Sequence, residues 1–154
     1  MKVNIGLDSE ARKTIADGLS NLLADSYTLY LKTHNFHWNV TGPNFASLHV
    51  LFEAHYTELA EAVDQIAERI RTLGCQAPGS YKQFSELTCI KEEITVPKAE
   101  DMIKQLVEDH EAVAKTAHEV LKIAQESNDE VTVGMAIERM TVHEKTAWML
   151  RSMV

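Results

Sequence analysis

Basic residues are scarce in this chain, and long apolar runs are missing. Fifteen Lys and Arg stand against 23 Asp and Glu, a formal net charge of -8. That balance excludes a general polyanion binder, whose affinity comes from clustered cations displacing counterions, and it suits a protein that draws cations towards itself. No apolar stretch approaches the ~20 residues needed to span a bilayer, and Met1 to Arg12 carries Asp8 and Glu10 where a secretory signal would be apolar. No membrane is expected, and the expected address is the cytoplasm, with the nucleoid as the alternative. Cysteine is nearly absent: Cys75 and Cys89 stand outside any CxxC or Cys/His cluster, which excludes a zinc site of the usual spacing and suits free thiols in a reducing compartment. No stretch alternates as a strand would, and no internal repeat is visible.

What is present is helical periodicity. The 154 residues are expected to form one domain, 1–154. Ile15, Leu19, Leu22, Leu23, Ser26 and Tyr30 recur at three-and-four spacing and predict a first helix over about 9–38. Gly42 and Pro43, flanked by Asn39 and Asn44, break it. A second helix is predicted over about 45–73, with Leu48, Phe52, His55, Leu59, Ala62, Ile66, Ile70 and Leu73 on one stripe and Gly74 as its stop. A long connection follows, holding Pro78, Gly79 and a short helix over about 81–87. Ile103, Leu106, His110, Val113, Ala117, Val120 and Ala124 predict a third long helix over about 98–126, and Met135, Ile137, Met140, Ala147 and Leu150 a fourth over about 129–151. Two antiparallel pairs joined by one long crossover describe an all-α, ferritin-like four-helix bundle with a short extra helix in that crossover.

The second helix has another patterned face. At about 100° per residue, Asp64 and Glu68 point away from the Leu59 stripe, and His49, Glu53, Ala60 and Ala67 share their side. Acidic pairs four apart are common on solvated helices, but small alanines beside acids and a histidine suit a surface that another helix approaches. Carboxylates and imidazole are iron ligands. His37 ends the first helix and His49 lies in the second turn of the next, so the turn between them can bring both imidazoles to one point. His49 and Asp64 are nevertheless separated by roughly 22 Å at 1.5 Å per residue, too far for one coordination sphere. If two such helices cross antiparallel about a two-fold axis near Tyr56 and Thr57, His37 and His49 of one subunit meet Asp64 and Glu68 of the other. None of the seven histidines has a Glu three residues before it, so the Glu-x-x-His di-iron site inside a single bundle is not expected.

These residues lie in two segments that resemble the signatures of Dps, the DNA-binding proteins from starved cells: His37-Trp38-Asn39-Val40-Thr41-Gly42 through Leu48-His49 to Glu53, and Val63-Asp64-Gln65-Ile66-Ala67-Glu68-Arg69 through Leu73-Gly74. The resemblance extends over essentially the whole chain. It implies a miniature ferritin: a hollow homododecamer with ferroxidase sites at two-fold interfaces, oxidising Fe²⁺ to Fe³⁺ with hydrogen peroxide, or more slowly with dioxygen, and storing ferric mineral against oxidative stress. His37, His49, Asp64 and Glu68 are then the catalytic iron ligands, two iron ions are expected per site, and Glu53 is a candidate for the second ion. Trp38 is implied beside the iron pair as an auxiliary residue that quenches a stray oxidising equivalent; packing at an interface is the plainer role. His34 is a further neighbour of the site, while His55, His110, His118 and His143 are read as ordinary hydrogen-bonded histidines. Glu126, Asp129 and Glu130 are implied at an acidic three-fold pore, against the plainer reading of a capped helix end.

The chain also departs from that family's pattern. Val50 and Ala54 stand where many members carry additional cavity-facing acids, and before the first helix there is only Lys2, then Arg12 and Lys13. DNA binding is therefore expected to be weak or absent. The alternative function is a nucleoid-binding structural protein with secondary iron chemistry; a bundle that assembles without metal is a third.

Overall fold

The computed structural model describes all 154 residues. Five helices and no strands make up the chain: α1 (Ser9–Asn39), α2 (Phe45–Thr72), α3 (Tyr81–Leu87), α4 (Ala99–Glu126) and α5 (Glu130–Arg151). Each begins or ends where local chemistry supplies the hydrogen bonds a helix terminus lacks. Asp8 accepts from the Ala11 amide at 2.8 Å. Ser80 accepts from the Gln83 amide at 3.3 Å, while Gln83 Oε1 accepts from the Gly79 amide at 3.0 Å. After α2 the Cys75 amide bonds Ile70 O at 3.2 Å and the Gly74 amide bonds Arg71 O at 2.9 Å. This closure needs a left-handed residue after the C-cap, and Gly74 has φ 87°. The same closure ends α4, where Asn128 takes φ 56°.

Apolar stripes then select neighbours. α1 and α2, joined by a five-residue turn, are antiparallel partners, as are α4 and α5; α1 also packs on α4, and α3 lies against α1. The shared core includes Ile15, Leu19, Leu22 and Phe36 of α1, Phe52, Leu59 and Ile66 of α2, and Leu106, Val113 and Ala117 of α4, all fully buried. Buried polar groups fix the register. Lys32 pairs with Asp109 at 2.7 Å and donates to Lys91 O at 2.9 Å, tying α1 to α4 and to the crossover. Asp25, fully buried, accepts from Thr88, Cys89 and Thr116. The Cys89 thiol, itself exposed, also donates to Asp25; partial desolvation and the adjacent carboxylate push its pKa up, which makes it a poorer nucleophile.

The expected and observed long-helix ends differ by one residue at most, but the stripe expected for α5 needs correction. Ile137 is exposed, Met135 and Met140 are only partly buried, and the buried positions are Thr132, Ala136, Arg139, His143, Ala147 and Leu150. Polar residues occupy the inward face of this helix while Trp148 and Met149 face out, so apolar spacing misleads there. No helix is long and apolar enough to cross a membrane.

Candidate metal centre

His37 sits in the last turn of α1 and His49 in the second turn of α2. The intervening turn closes with the Phe45 amide on Gly42 O at 3.0 Å, and Gly42 takes φ 113°, outside the range a side chain favours. It brings the two imidazoles face to face, with centroids 3.8 Å apart and planes within 16°. Their backbone bonds are reciprocal: His37 Nδ1 donates to His49 O at 2.7 Å, and His49 Nδ1 donates to His37 O at 2.8 Å. A carbonyl only accepts, so both Nδ1 atoms carry the proton, and each neutral ring keeps its lone pair on Nε2. Second bonds of this kind orient metal-binding histidines and fix their tautomer.

The carboxylates lie elsewhere. Asp64 and Glu68 are exposed, one turn apart on α2, with no hydrogen bond or ion pair to a side chain of their own chain. Glu53, one turn beyond His49, is also exposed. α2 is uninterrupted from Phe45 to Thr72, so the imidazoles and the Asp64–Glu68 pair are held about 22 Å apart along one rod. No three His, Cys, Asp or Glu side chains converge within the single chain on a point fit for a metal ion. Between the two ends, the outer face of α2 is built from Tyr56, Thr57, Ala60, Val63 and Ala67, all exposed or half-exposed.

Trp38 is 58% exposed and lies tilted against His34, 3.8 Å between centroids, while His34 stacks on Tyr56 at 4.1 Å. His34 is thus an aromatic spacer beside the imidazole pair; burial, with His37 adding to it, lowers its pKa. Of the three acids expected at a pore, Glu126 and Glu130 are exposed, but Asp129 is buried. Its oxygens receive Arg69 at 2.8 and 2.9 Å and the Thr132 hydroxyl and amide. Burial alone would raise the Asp129 carboxyl, but the bonds from Thr132 and Arg69 prevail and hold it low. It acts as the N-cap of α5 and joins that helix to α2.

One polar constellation escaped the sequence reading. In the middle of the bundle, Glu58 of α2 forms a two-pronged ion pair with Arg139 of α5. Arg139 donates to His143 Nε2 at 3.1 Å, and His143 Nδ1 lies 2.8 Å from His110 Nδ1 of α4. Arginine has no acceptor, so His143 Nε2 must accept; His143 Nδ1 then donates to His110 Nδ1, and the His110 proton is left on Nε2. That buried Nε2 and Nδ1 of neighbouring His55 have no partner. Burial drives the His110 pKa down to about 3 and lowers those of His143 and His55 as well, with Arg139 adding to the first two. A guanidinium among neutral imidazoles repels a cation, so this cluster is a poor metal site. Its sequence signal is a pair of polar residues, Arg139 and His143, one turn apart on the inward face of α5.

Comparison with known proteins matches the geometry. The ferritin-like domain family matches residues 16–154. The chain is 43% identical over 155 aligned residues to a low temperature-induced protein of Nostoc sp., covering 99% of this chain and 87% of that protein. It is 39% identical to DNA protection during starvation protein 2 of Bacillus anthracis, covering 91% of this chain and 96% of that one. The crystal structure of the Dps protein from Vibrio cholerae O1, described as a member of a broad superfamily of ferritin-like diiron-carboxylate proteins, superposes with TM-score 0.94 at 32% identity, covering 99% of this chain and 96% of that one.

Proposed function

The chain belongs to the Dps branch of the ferritin-like family, and from that premise we propose that it is a ferroxidase whose iron sites are completed across a two-fold axis between subunits. Iron storage and protection from oxidative damage are the general business of the family. The finer reading is that His37 and His49 of one subunit and Asp64 and Glu68 of another bind the substrate Fe²⁺, with Glu53 holding or receiving a second ion.

One observation carries this reading: the reciprocal Nδ1–carbonyl bonds leave two parallel imidazoles, each with only its Nε2 lone pair to offer. Neutral imidazole and carboxylate together suit ferrous iron. The midpoint between His49 and Asp64 falls at Tyr56 and Thr57, so two antiparallel α2 helices crossing there superimpose each imidazole pair on the other chain's carboxylates. Exposed Thr57 and Ala60 permit that close approach. Two Fe²⁺ then supply both electrons that one hydrogen peroxide needs, giving two Fe³⁺ and, with two protons, two waters. Dioxygen is the slower oxidant, and ferric product collects inside a hollow dodecamer. Glu126 and Glu130 present carboxylates at the three-fold pore, while Asp129, through Arg69, holds the turn that carries them.

Stopped-flow absorbance tests the reaction. At equal oxidant concentration, Fe²⁺ is expected to be oxidised faster by peroxide than by dioxygen, and in both cases faster than in protein-free buffer; rates no faster than buffer would sink the proposal. DNA condensation is not expected to be the main role. Arg12 is engaged on Leu73 O and Lys13 on Asp17, which leaves little cationic surface at the start of α1. A gel shift at about 150 mM salt should show free plasmid; retarded plasmid there would favour the nucleoid-binding alternative.

A further inference from the structure

All four tyrosines of the sequence, Tyr27, Tyr30, Tyr56 and Tyr81, lie in one line that starts at a proposed iron ligand and ends at the surface. The Tyr56 ring stands edge-on to His37 with centroids 5.1 Å apart. Tyr30 is 6.0 Å from Tyr56, Tyr27 is 5.7 Å from Tyr30, and Tyr81 is 6.3 Å from Tyr27, each pair edge to face. These are the separations of aromatic rings in direct contact. The line crosses three helices, from α2 through α1 to α3, and Tyr81 at its far end is 72% exposed. No side chain or backbone group hydrogen-bonds any of the four phenols, and Tyr27, Tyr30 and Tyr56 are all half-exposed, so each can lose its proton to water when it is oxidised. If packing were the only need, phenylalanine would serve, as Phe84 does where it stacks on Tyr27 at 4.9 Å.

We propose that this line of tyrosines is an electron relay which gives the protein a second activity, the one-electron oxidation of small phenols at Tyr81 by hydrogen peroxide. The inference rests on the ferroxidase reading, which supplies the oxidant. Its occasion is a site holding one ferrous ion. Peroxide needs two electrons and a lone Fe²⁺ gives one; the second comes from tyrosine. Fe²⁺, H₂O₂ and Tyr–OH become Fe³⁺, HO⁻, H₂O and Tyr–O•, the phenolic hydrogen ending in the water. Tyr56 is oxidised first, and hydrogen-atom equivalents then pass inward from Tyr30, Tyr27 and Tyr81 in turn. At Tyr81 a solution phenol donates its O–H hydrogen, restoring the tyrosine and leaving a phenoxyl radical that couples with another. The protein is thereby spared damage at its iron site whenever the second iron is missing.

The test loads the assembled protein with one Fe²⁺ per site, adds peroxide and N-acetyltyrosine, and records two signals together: the absorbance of Fe³⁺ and the fluorescence of the coupled bis-phenol. Tyr81→Phe and Tyr30→Phe each remove a relay member without touching a proposed ligand. Wild type is expected to form the bis-phenol, and both variants to lose that product while oxidising iron at the wild-type rate. Mapping with a nitroso spin trap should place adducts on Tyr81 in wild type and lose them in Tyr30→Phe. Normal iron oxidation with equal product in all three proteins, or with adducts confined to Trp38, would overturn the relay alone. Absence of iron oxidation in wild type would overturn the ferroxidase reading and the relay with it.

Discussion

Replacing His49 by alanine is expected to slow peroxide-driven Fe²⁺ oxidation by at least about 100-fold, since even groups that merely orient a metal ligand are worth ~10–100-fold. Two losses combine in this variant. The Nε2 lone pair of His49 disappears, and so does the bond from its Nδ1 to His37 O, along with the ring that stacks on His37 at 3.8 Å. The bond from His37 Nδ1 to His49 O survives, because alanine keeps the carbonyl. His37 therefore retains its tautomer but not its support, and residual activity should be weak. Helix content should be untouched, because His49 is not part of the bundle core, and the subunits should still assemble through the outer face of α2 around Tyr56 and Thr57. Circular dichroism and sizing identical to wild type, with iron oxidation lowered, is the expected pattern; wild-type oxidation rates in His49→Ala would contradict the ligand assignment.

Mild acid is expected to destabilise the fold steeply, and the cause lies in the bundle interior. His110 and His143 are buried and held neutral, with folded pKa values below the ordinary 6.5, His110 at about 3. Once pH falls below 6.5 the unfolded chain takes up protons that the folded chain refuses, so stability is complete above 6.5 and declines across the window down to about 3. His110 contributes a slope of about 1.4 kcal/mol per pH unit in that window, and His143 changes stability with the same sign. By pH 5 His110 alone would cost roughly 2 kcal/mol, with His143 acting in the same direction, against the ~5–15 kcal/mol that holds a domain together. Geometry agrees with the sign. Protonating His110 sets two donors against each other across the 2.8 Å Nδ1–Nδ1 contact, protonating His143 sets its Nε2 against the Arg139 donor, and Glu58 of α2, already committed to Arg139, is the carboxylate at hand. Unfolding midpoints in denaturant at pH 7.5, 6 and 5 measure the effect, and a His110→Leu, His143→Leu double variant should flatten it. Equal midpoints for wild type across that range would contradict the account.

How much of this was legible in the sequence depends on whether the information was local. α1, α2 and α4 were, because Leu19, Phe52 and Val113 and their stripes bury apolar groups at helical spacing. α5 was legible in extent but not in orientation: its inward positions include Arg139 and His143, whose partners Glu58 and His110 come from other helices. His37 and His49 could be paired because only a short turn separates them. The reciprocal bonds that fix their tautomers were not visible, since they depend on where two backbone carbonyls point. Asp129 stayed ambiguous between pore and cap for the same reason, because the residue that engages it, Arg69, is sixty positions away. Three of the four tyrosine contacts likewise join residues of different helices, so only Tyr27 and Tyr30 showed their spacing.

The claim on which the rest depends is that each iron site takes its imidazoles from one chain and its carboxylates from another. Co-expression of His49→Ala and Asp64→Ala chains, each inactive alone, tests it directly. In a mixed pair of subunits one interface site inherits both defects, while the other receives intact His37 and His49 from one chain and intact Asp64 and Glu68 from its partner. Random mixing should thus restore about a quarter of wild-type peroxide-driven iron oxidation. Recovery to that level is the predicted result; mixed assemblies as inactive as either parent would contradict the shared site.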